Sequence, residues 1–62
     1  MTTRIIRVTI LDDHQSIIDG YIYRLSSFPA IEIAATLHFG EELDSTLADH
    51  PTDVLLLDIN VP

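Results

Sequence analysis

The most restrictive feature of the chain is a four-residue run, Val54 to Leu57, in which every side chain is apolar. Such a run is typical of a parallel strand covered on both faces, because a sheet with one wet face alternates apolar and polar residues. The run stops at Asp58, as a buried strand does at the edge of its sheet. The fold must therefore supply neighbouring parallel strands, and parallel strands need long crossover connections.

Two further segments have strand character. Ile5 to Leu11 (IIRVTIL) is dense in β-branched residues and ends abruptly at Asp12-Asp13, which predicts a second buried strand. Ile31 to Leu37 (IEIAATL) alternates larger apolar side chains with polar or small ones. That alternation favours a strand with one less buried face, such as an edge strand.

The segment between the first two strands predicts a helix from Gln15 to Phe28, ended by Pro29. Its start is open, since Asp13 can cap the first turn while Ser16 to Asp19 also fits a capping box. Gly20 costs up to about 1 kcal/mol inside a helix, which either a close approach to the sheet or simple tolerance would explain. The apolar positions form one helical stripe, and they are Ile17, Ile18, Tyr21, Ile22, Leu25 and Phe28.

A second helix is expected to open at Gly40 and to close at Pro51. Phe39, Leu43 and Leu47 are four residues apart and predict its buried seam. The order is then β-α-β-α-β, an α/β class of fold. Two right-handed crossovers place the strands in the order 2-1-3, with the first strand in the centre.

Composition excludes several classes of protein. The net charge of −7 with only three fixed cations argues against binding to nucleic-acid phosphates. The absence of cysteine excludes disulfides and thiolate metal sites. The longest apolar run is far shorter than the ~20 residues of a membrane span, and Arg7 and Asp12-Asp13 interrupt any signal peptide. We therefore expect a cytoplasmic protein without a membrane partner.

Three carboxylates are predicted to meet at one edge of the sheet, because Asp12 and Asp13 end the first strand and Asp58 ends the third. Open α/β sheets bind ligands at this switch point. Two carboxylates about 4 Å apart repel by about 4 kcal/mol at an effective dielectric near 20. Either a proton or a hard cation such as Mg²⁺ must relieve that repulsion.

A strand-end carboxylate beside such a cation is suited to act as a nucleophile toward phosphorus. Each acid taken alone could instead have a purely structural role, because Asp12 or Asp13 can cap a helix and Asp58 can end a strand. His14 is expected to face solvent at the helix start rather than the metal site. Tyr21 is expected in the core, and Tyr23 is expected to be partly exposed.

The chain resembles the receiver domain of two-component response regulators, most closely the NarL/LuxR type. The resemblance covers residues 1–62, and the matching segments are Ile6-Arg7-Val8, Ile10 to His14, Phe39 to Glu42 and Val54 to Pro62. It implies a flavodoxin-like fold, here an N-terminal half truncated after the third strand. The family's strand-ending hydroxyl residue, strand-ending lysine and aromatic switch residue belong to the part that would follow.

The resemblance further implies a phosphoacceptor signalling protein rather than an enzyme. Asp58 would accept a phosphoryl group from a histidine kinase, with Mg²⁺ as cofactor. Asp13 would bind the ion directly, Asp12 through a water, and Asn60 through its backbone carbonyl, while Pro62 would lie in the loop after the acceptor. In this family the receiver commonly controls a helix-turn-helix effector, so DNA binding would come only from a domain outside these 62 residues.

Two other functions stay open. An aspartyl-nucleophile phosphatase would need a second acid two residues after Asp58, where this chain has Asn60. A half-domain that binds a divalent cation without signalling, and that associates through the bare edge of the third strand, is the other. We therefore expect a homo-oligomer.

Overall fold

The computed structural model describes residues 4–58, and in them an α/β unit with one parallel sheet. The elements are β1 (Ile6–Leu11), α1 (Gln15–Leu25), β2 (Ile31–Leu37), a 3₁₀ turn (Gly40–Glu42), α2 (Leu43–Asp49) and β3 (Val54–Leu57). The strand order is β2-β1-β3, as the crossovers predict. The 3₁₀ turn and α2 together form the connection between β2 and β3.

The core lies between α1 and one face of the sheet. Ile18 of α1 is fully buried against Val8 and Ile10 of the central strand. Four partly buried side chains close the sides of this cluster, namely Leu25, Ile31, Ile33 and Leu56. Ile18, together with Leu25, therefore fixes where α1 sits on the sheet, and with it the position of the loop between β1 and α1.

The opposite face of the central strand contains a buried polar pair. Thr9 is fully buried, and its hydroxyl oxygen lies 2.7 Å from that of Thr52, just before β3. Since the Thr52 hydroxyl donates to the His50 carbonyl at 2.8 Å, the Thr9 hydroxyl is the donor in the pair. A polar residue in the middle of the central strand is thus satisfied by the segment that leads into β3.

The amino end of the sheet is held by reciprocal hydrogen bonds between β1 and the residue before β3. The Asp53 N–H donates to the Arg7 carbonyl at 2.8 Å, and the Arg7 N–H donates to Asp53 Oδ2 at 2.9 Å. The Arg7 N–H, helped by the Arg4 guanidinium, lowers the pKa of the Asp53 carboxyl although partial burial opposes the shift. The Arg7 side chain also donates to Glu32 of β2 at 3.0 Å and to the Pro51 carbonyl at 2.7 Å.

The pairing of β1 with β2 contains a bulge. Val8 pairs with Ile33, but the next residue, Thr9, pairs with Ala35, so Ala34 is the extra residue on β2. A bulge of this kind breaks the strict alternation of the two faces. The prediction of β2 as an edge strand is confirmed by the sheet order.

Helix α1 differs from its predicted bounds at both ends. It ends at Leu25 rather than Phe28, because the Ser26 and Ser27 hydroxyls donate to carbonyls of the last turn at 2.7 and 2.8 Å. Phe28 is consequently 55% exposed. At the start, His14 is the N-cap residue and no side chain caps the helix, so neither capping prediction is correct.

The second helix differs in detail from its prediction. The helix expected from Gly40 begins as a 3₁₀ turn, and Phe39 is exposed while Leu43 and Leu47 are partly buried.

The structure decides between the two explanations of Gly20. A methyl group built on Gly20 meets nothing within 4 Å, so this glycine is tolerated in α1 rather than required by a close approach. Neither α1 nor α2 is long and apolar enough to cross a bilayer.

Strand β3 lies at the edge of the described sheet, paired only with β1 among these residues. Its first and last side chains, Val54 and Leu57, are 43% and 55% exposed. A strand predicted to be covered on both faces therefore presents apolar side chains and one row of backbone groups at an edge.

Candidate metal and phosphoacceptor centre

The carboxyl edge of the sheet brings four chemically active side chains together. Asp12 and Asp13 follow β1, His14 caps α1, and Asp58 follows β3. One ligand atom from each lies within 4.8 Å of all the others. The three predicted carboxylates thus share one small volume, and the structure adds a histidine to them.

Asp12 is the most buried of the four residues, at 7% exposed. Its Oδ1 accepts the backbone N–H of His14 at 2.9 Å, which closes a tight turn between β1 and α1. This hydrogen bond is the main reason that the pKa of Asp12 is lowered; burial opposes the shift, and the His14 ring supports it. Asp12 is therefore held as a carboxylate with a fixed orientation.

The His14 ring lies among the carboxylates, contrary to the expectation that it would simply face solvent. Its Nδ1 is 3.0 Å from Asp12 Oδ1, 2.7 Å from Asp13 Oδ1 and 3.9 Å from Asp58 Oδ2. The side chain is still 63% exposed, so the ring covers the cluster from the solvent side. The hydrogen bond to Asp12, and then the charge of Asp13, raise the pKa of His14 against a smaller opposing effect of burial.

Asp58 is set at the end of the edge strand by a backbone hydrogen bond. Its N–H donates to the Leu11 carbonyl at 3.0 Å, and its side chain is 18% exposed. A cavity of about 270 Å³ opens beside it, lined by Asp12, Tyr21 and Leu56 among others. Tyr21 is 41% exposed at this cavity, so its predicted place in the core is wrong.

The donor set fits a divalent cation. Three carboxylates within 4.8 Å of one another repel unless a positive charge lies between them. The His14 ring lies nearest to them, and Asp12 and Asp13 raise its pKa. Oxygen donors of this kind are those that Mg²⁺ accepts, usually one or two carboxylates together with water and phosphate oxygens. The predicted fourth contributor, Asn60, lies outside the described residues, as does Pro62.

The chain has curated relatives with 35–40% identity, each over 57 residues. It is 37% identical to a protein-glutamate methylesterase/protein-glutamine glutaminase of Nitrosospira multiformis and 40% identical to one of Rhodospirillum centenum. It is 35% identical to the transcriptional regulatory protein DegU of Brevibacillus brevis. These matches cover 90–92% of this chain but only 14–24% of the relatives. No protein-family profile matches the chain.

A solved structure supplies the fold comparison. The RcsB response regulator of Salmonella typhimurium superposes with a TM-score of 0.90 at 22% identity, over 95% of this chain and 30% of that one. At this identity the superposition shows a likeness of fold. The chain matches the receiver domain of response regulators. Its three strands and two helices correspond to a flavodoxin-like half of that domain, as predicted.

The match covers only a short segment of each of these much longer relatives. It therefore gives no support for a methylesterase activity in this chain, although two relatives are named for one. Sequence reasoning found all three aspartates but missed the position of His14. The signal available was its place directly after Asp12-Asp13, where the chain turns back over the strand end.

Proposed function

We propose that this receiver segment accepts a phosphoryl group on Asp58, with a bound divalent cation, from a histidine kinase. The observation that supports the proposal is the convergence of Asp12, Asp13 and Asp58 from two adjacent strands within 4.8 Å. Of the three, Asp58 follows β3, whereas Asp12 and Asp13 lie in the turn between β1 and α1. It therefore has the position of an acceptor, while the two acids after β1 have the position of cation ligands.

The transfer needs a carboxylate nucleophile and a phosphorus electrophile. A phosphorylated histidine of the kinase would be the donor: a new bond forms from an Asp58 carboxylate oxygen to phosphorus as the bond from phosphorus to the imidazole nitrogen breaks. The displaced imidazole nitrogen takes up a proton. A bound Mg²⁺ would offset charge on the phosphoryl oxygens. Asp12 and Asp13 would hold the ion, and the hydrogen bond from the His14 N–H keeps Asp12 oriented.

The partners follow from the same proposal. The kinase would act in the cytoplasm, and transcription would be controlled through a helix-turn-helix effector in the longer parent protein. DegU and RcsB, whose names include transcriptional regulation and DNA interaction, support this output rather than methylester hydrolysis. A negatively charged segment with three fixed cations would not itself bind DNA.

The test is phosphorylation of the 62-residue chain by acetyl phosphate with Mg²⁺, followed by intact mass. We expect the wild-type chain to gain one phosphoryl group and Asp58→Asn to gain none. Asp44→Asn is the matched control, because Asp44 is an exposed acid on α2 away from the cluster. Equal uptake by wild type and Asp58→Asn would exclude Asp58 as the acceptor.

The cation is tested with the same assay after chelation. Removal of Mg²⁺ with EDTA should abolish uptake, and Asp13→Asn should reduce it at subsaturating Mg²⁺ while leaving the fold intact. The same variant should also show a smaller Mg²⁺-dependent change in the backbone amide resonances of residues 12–14 and 58. Uptake that is identical with and without Mg²⁺ would contradict the role given to the cation.

A second candidate function is association of the segment through β3. It is favoured by the exposure of Val54 and Leu57 at the edge of the described sheet. An aspartyl phosphatase is less well supported, because the position two residues after Asp58 is Asn60 rather than an acid.

Sedimentation velocity tests the association. We expect the wild-type chain to form a homo-oligomer and Leu57→Lys to shift it toward the monomer, since a charge on an edge strand opposes pairing. Tyr23→Lys, a change of an 82% exposed side chain on α1, is the control and should leave the oligomer unchanged. A wild-type monomer at all concentrations would remove this function.

A further inference from the structure

We propose that His14 is a metal ligand of the acidic centre, and that its imidazole lets the centre bind a borderline transition metal of the Zn²⁺ class in competition with Mg²⁺. This inference rests on the cation role in the proposed function and adds the choice of ion to it. The observation that carries it is that His14 Nδ1 lies within 4.8 Å of a carboxylate oxygen from each of the three aspartates, and 2.7 Å from that of Asp13.

The distances fit shared coordination. Ligand atoms about 2.1 Å from one ion lie about 3.0 to 3.4 Å apart in octahedral or tetrahedral arrangements. His14 Nδ1 is 3.0, 2.7 and 3.9 Å from the nearest oxygens of Asp12, Asp13 and Asp58. The distances to the Asp12 and Asp13 oxygens lie near the required values, whereas the distance to the Asp58 oxygen is longer, so binding of one ion by all four groups requires the side chains to move closer together.

The backbone supplies the reason that His14 is held there. His14 is the N-cap residue of α1, and its N–H is fixed on Asp12 Oδ1, so the ring projects from the turn that closes over the strand ends. The same carboxylate oxygen also contacts the ring nitrogen. The ring position is therefore set by a turn that belongs to the site and not by a distant contact.

The chemistry of the donor atoms then determines which of the two ions the histidine favours. Mg²⁺ binds oxygen and keeps its waters, so a nitrogen donor adds little to its affinity. Zn²⁺ binds imidazole nitrogen and carboxylate oxygen alike, and three carboxylates with one imidazole complete a four-coordinate set. Replacing the imidazole should thus weaken Zn²⁺ binding and leave Mg²⁺ binding in place.

The test compares the Zn²⁺ and Mg²⁺ affinities of the 62-residue chain by calorimetry, with both ions measured at one fixed pH. We expect His14→Ala to weaken Zn²⁺ binding by at least about tenfold, the effect of losing an interaction at a metal site, and to change Mg²⁺ binding by less than about twofold. His50→Ala is the matched control, because His50 is an exposed histidine at the end of α2. It should leave both affinities unchanged.

A spectroscopic measurement separates ligation from a structural effect of the substitution. In the wild-type chain with labelled histidine, Zn²⁺ should shift the His14 Nδ1 nitrogen resonance, and by more than Mg²⁺ does, because only direct coordination changes the bonding of that nitrogen. Equal Zn²⁺ affinity in wild type and His14→Ala, or an unshifted Nδ1 resonance, would overturn the inference while Mg²⁺ binding keeps the proposed function. Absence of Mg²⁺ binding in the wild-type chain would instead overturn the cation role itself.

Discussion

The substitution Ile18→Val is predicted to weaken the fold measurably, while Ile17→Val in the same helix is not. Ile18 is fully buried against Val8 and Ile10, whereas Ile17 is 46% exposed. Loss of one methylene costs about 0.8 kcal/mol by transfer and about 1 kcal/mol in a packed core. A surface change of the same chemistry costs about 0.5 kcal/mol or less.

These costs are large for this chain. At about 0.05–0.15 kcal/mol per residue, 62 residues have roughly 3–9 kcal/mol of stability. Ile18→Ala removes three buried carbons, about 2.4 kcal/mol by transfer and up to about 5 kcal/mol with the cavity that remains. It would leave the chain largely unfolded at the lower end of that range.

The assay is urea unfolding followed by far-ultraviolet circular dichroism, since the chain has no tryptophan. With a slope of about 1 kcal/mol/M, Ile18→Val should lower the midpoint by about 1 M. Ile17→Val should lower it by at most about half as much. Equal midpoint shifts for the two valine variants would refute the placement of Ile18 as the residue that seats α1 on the sheet.

Two further substitutions test other parts of the fold. Gly20→Ala should raise the free energy of unfolding by about 0.5–1 kcal/mol, because the glycine lies inside α1 with open space around it; a destabilised variant would contradict that geometry. Asp53 has a lowered pKa in the folded state, so its stabilising effect is present above its unfolded pKa of about 3.9 and is lost as the pH falls through the lower folded pKa. The unfolding midpoint of the wild-type chain should therefore fall on acidification below about pH 4, and Asp53→Asn should show a smaller fall; equal pH profiles would refute this.

The order of strands could be predicted from the sequence because the composition of each strand is distinctive and each connection is long enough for a crossover. Val54 to Leu57 and Ile6 to Leu11 have no strong alternative as helices. The aspartates after these strands were found for the same reason, since the carboxyl ends of adjacent parallel strands share an edge.

The remaining details depend on side-chain geometry that spacing does not determine. The apolar stripe continues to Phe28, but Ser26 and Ser27 compete for the last carbonyls of α1 and end it earlier. Tyr21 belongs to the stripe by spacing, yet it lies on the flank next to the cavity. His14 follows the acids in sequence, but only the turn closed on Asp12 places its ring among them.

The separation in sequence between the two halves of the centre has a consequence for folding. Asp12, Asp13 and His14 stand 44 to 46 residues before Asp58, so the cluster exists only after β3 has closed a long loop onto β1. Loop closure of this length is an entropic cost that local helix formation does not carry. During synthesis the first strand and helix emerge well before the acceptor, so the centre forms after both of them. An ion that bridges the two strand ends would then stabilise the closed loop once β3 has paired with β1.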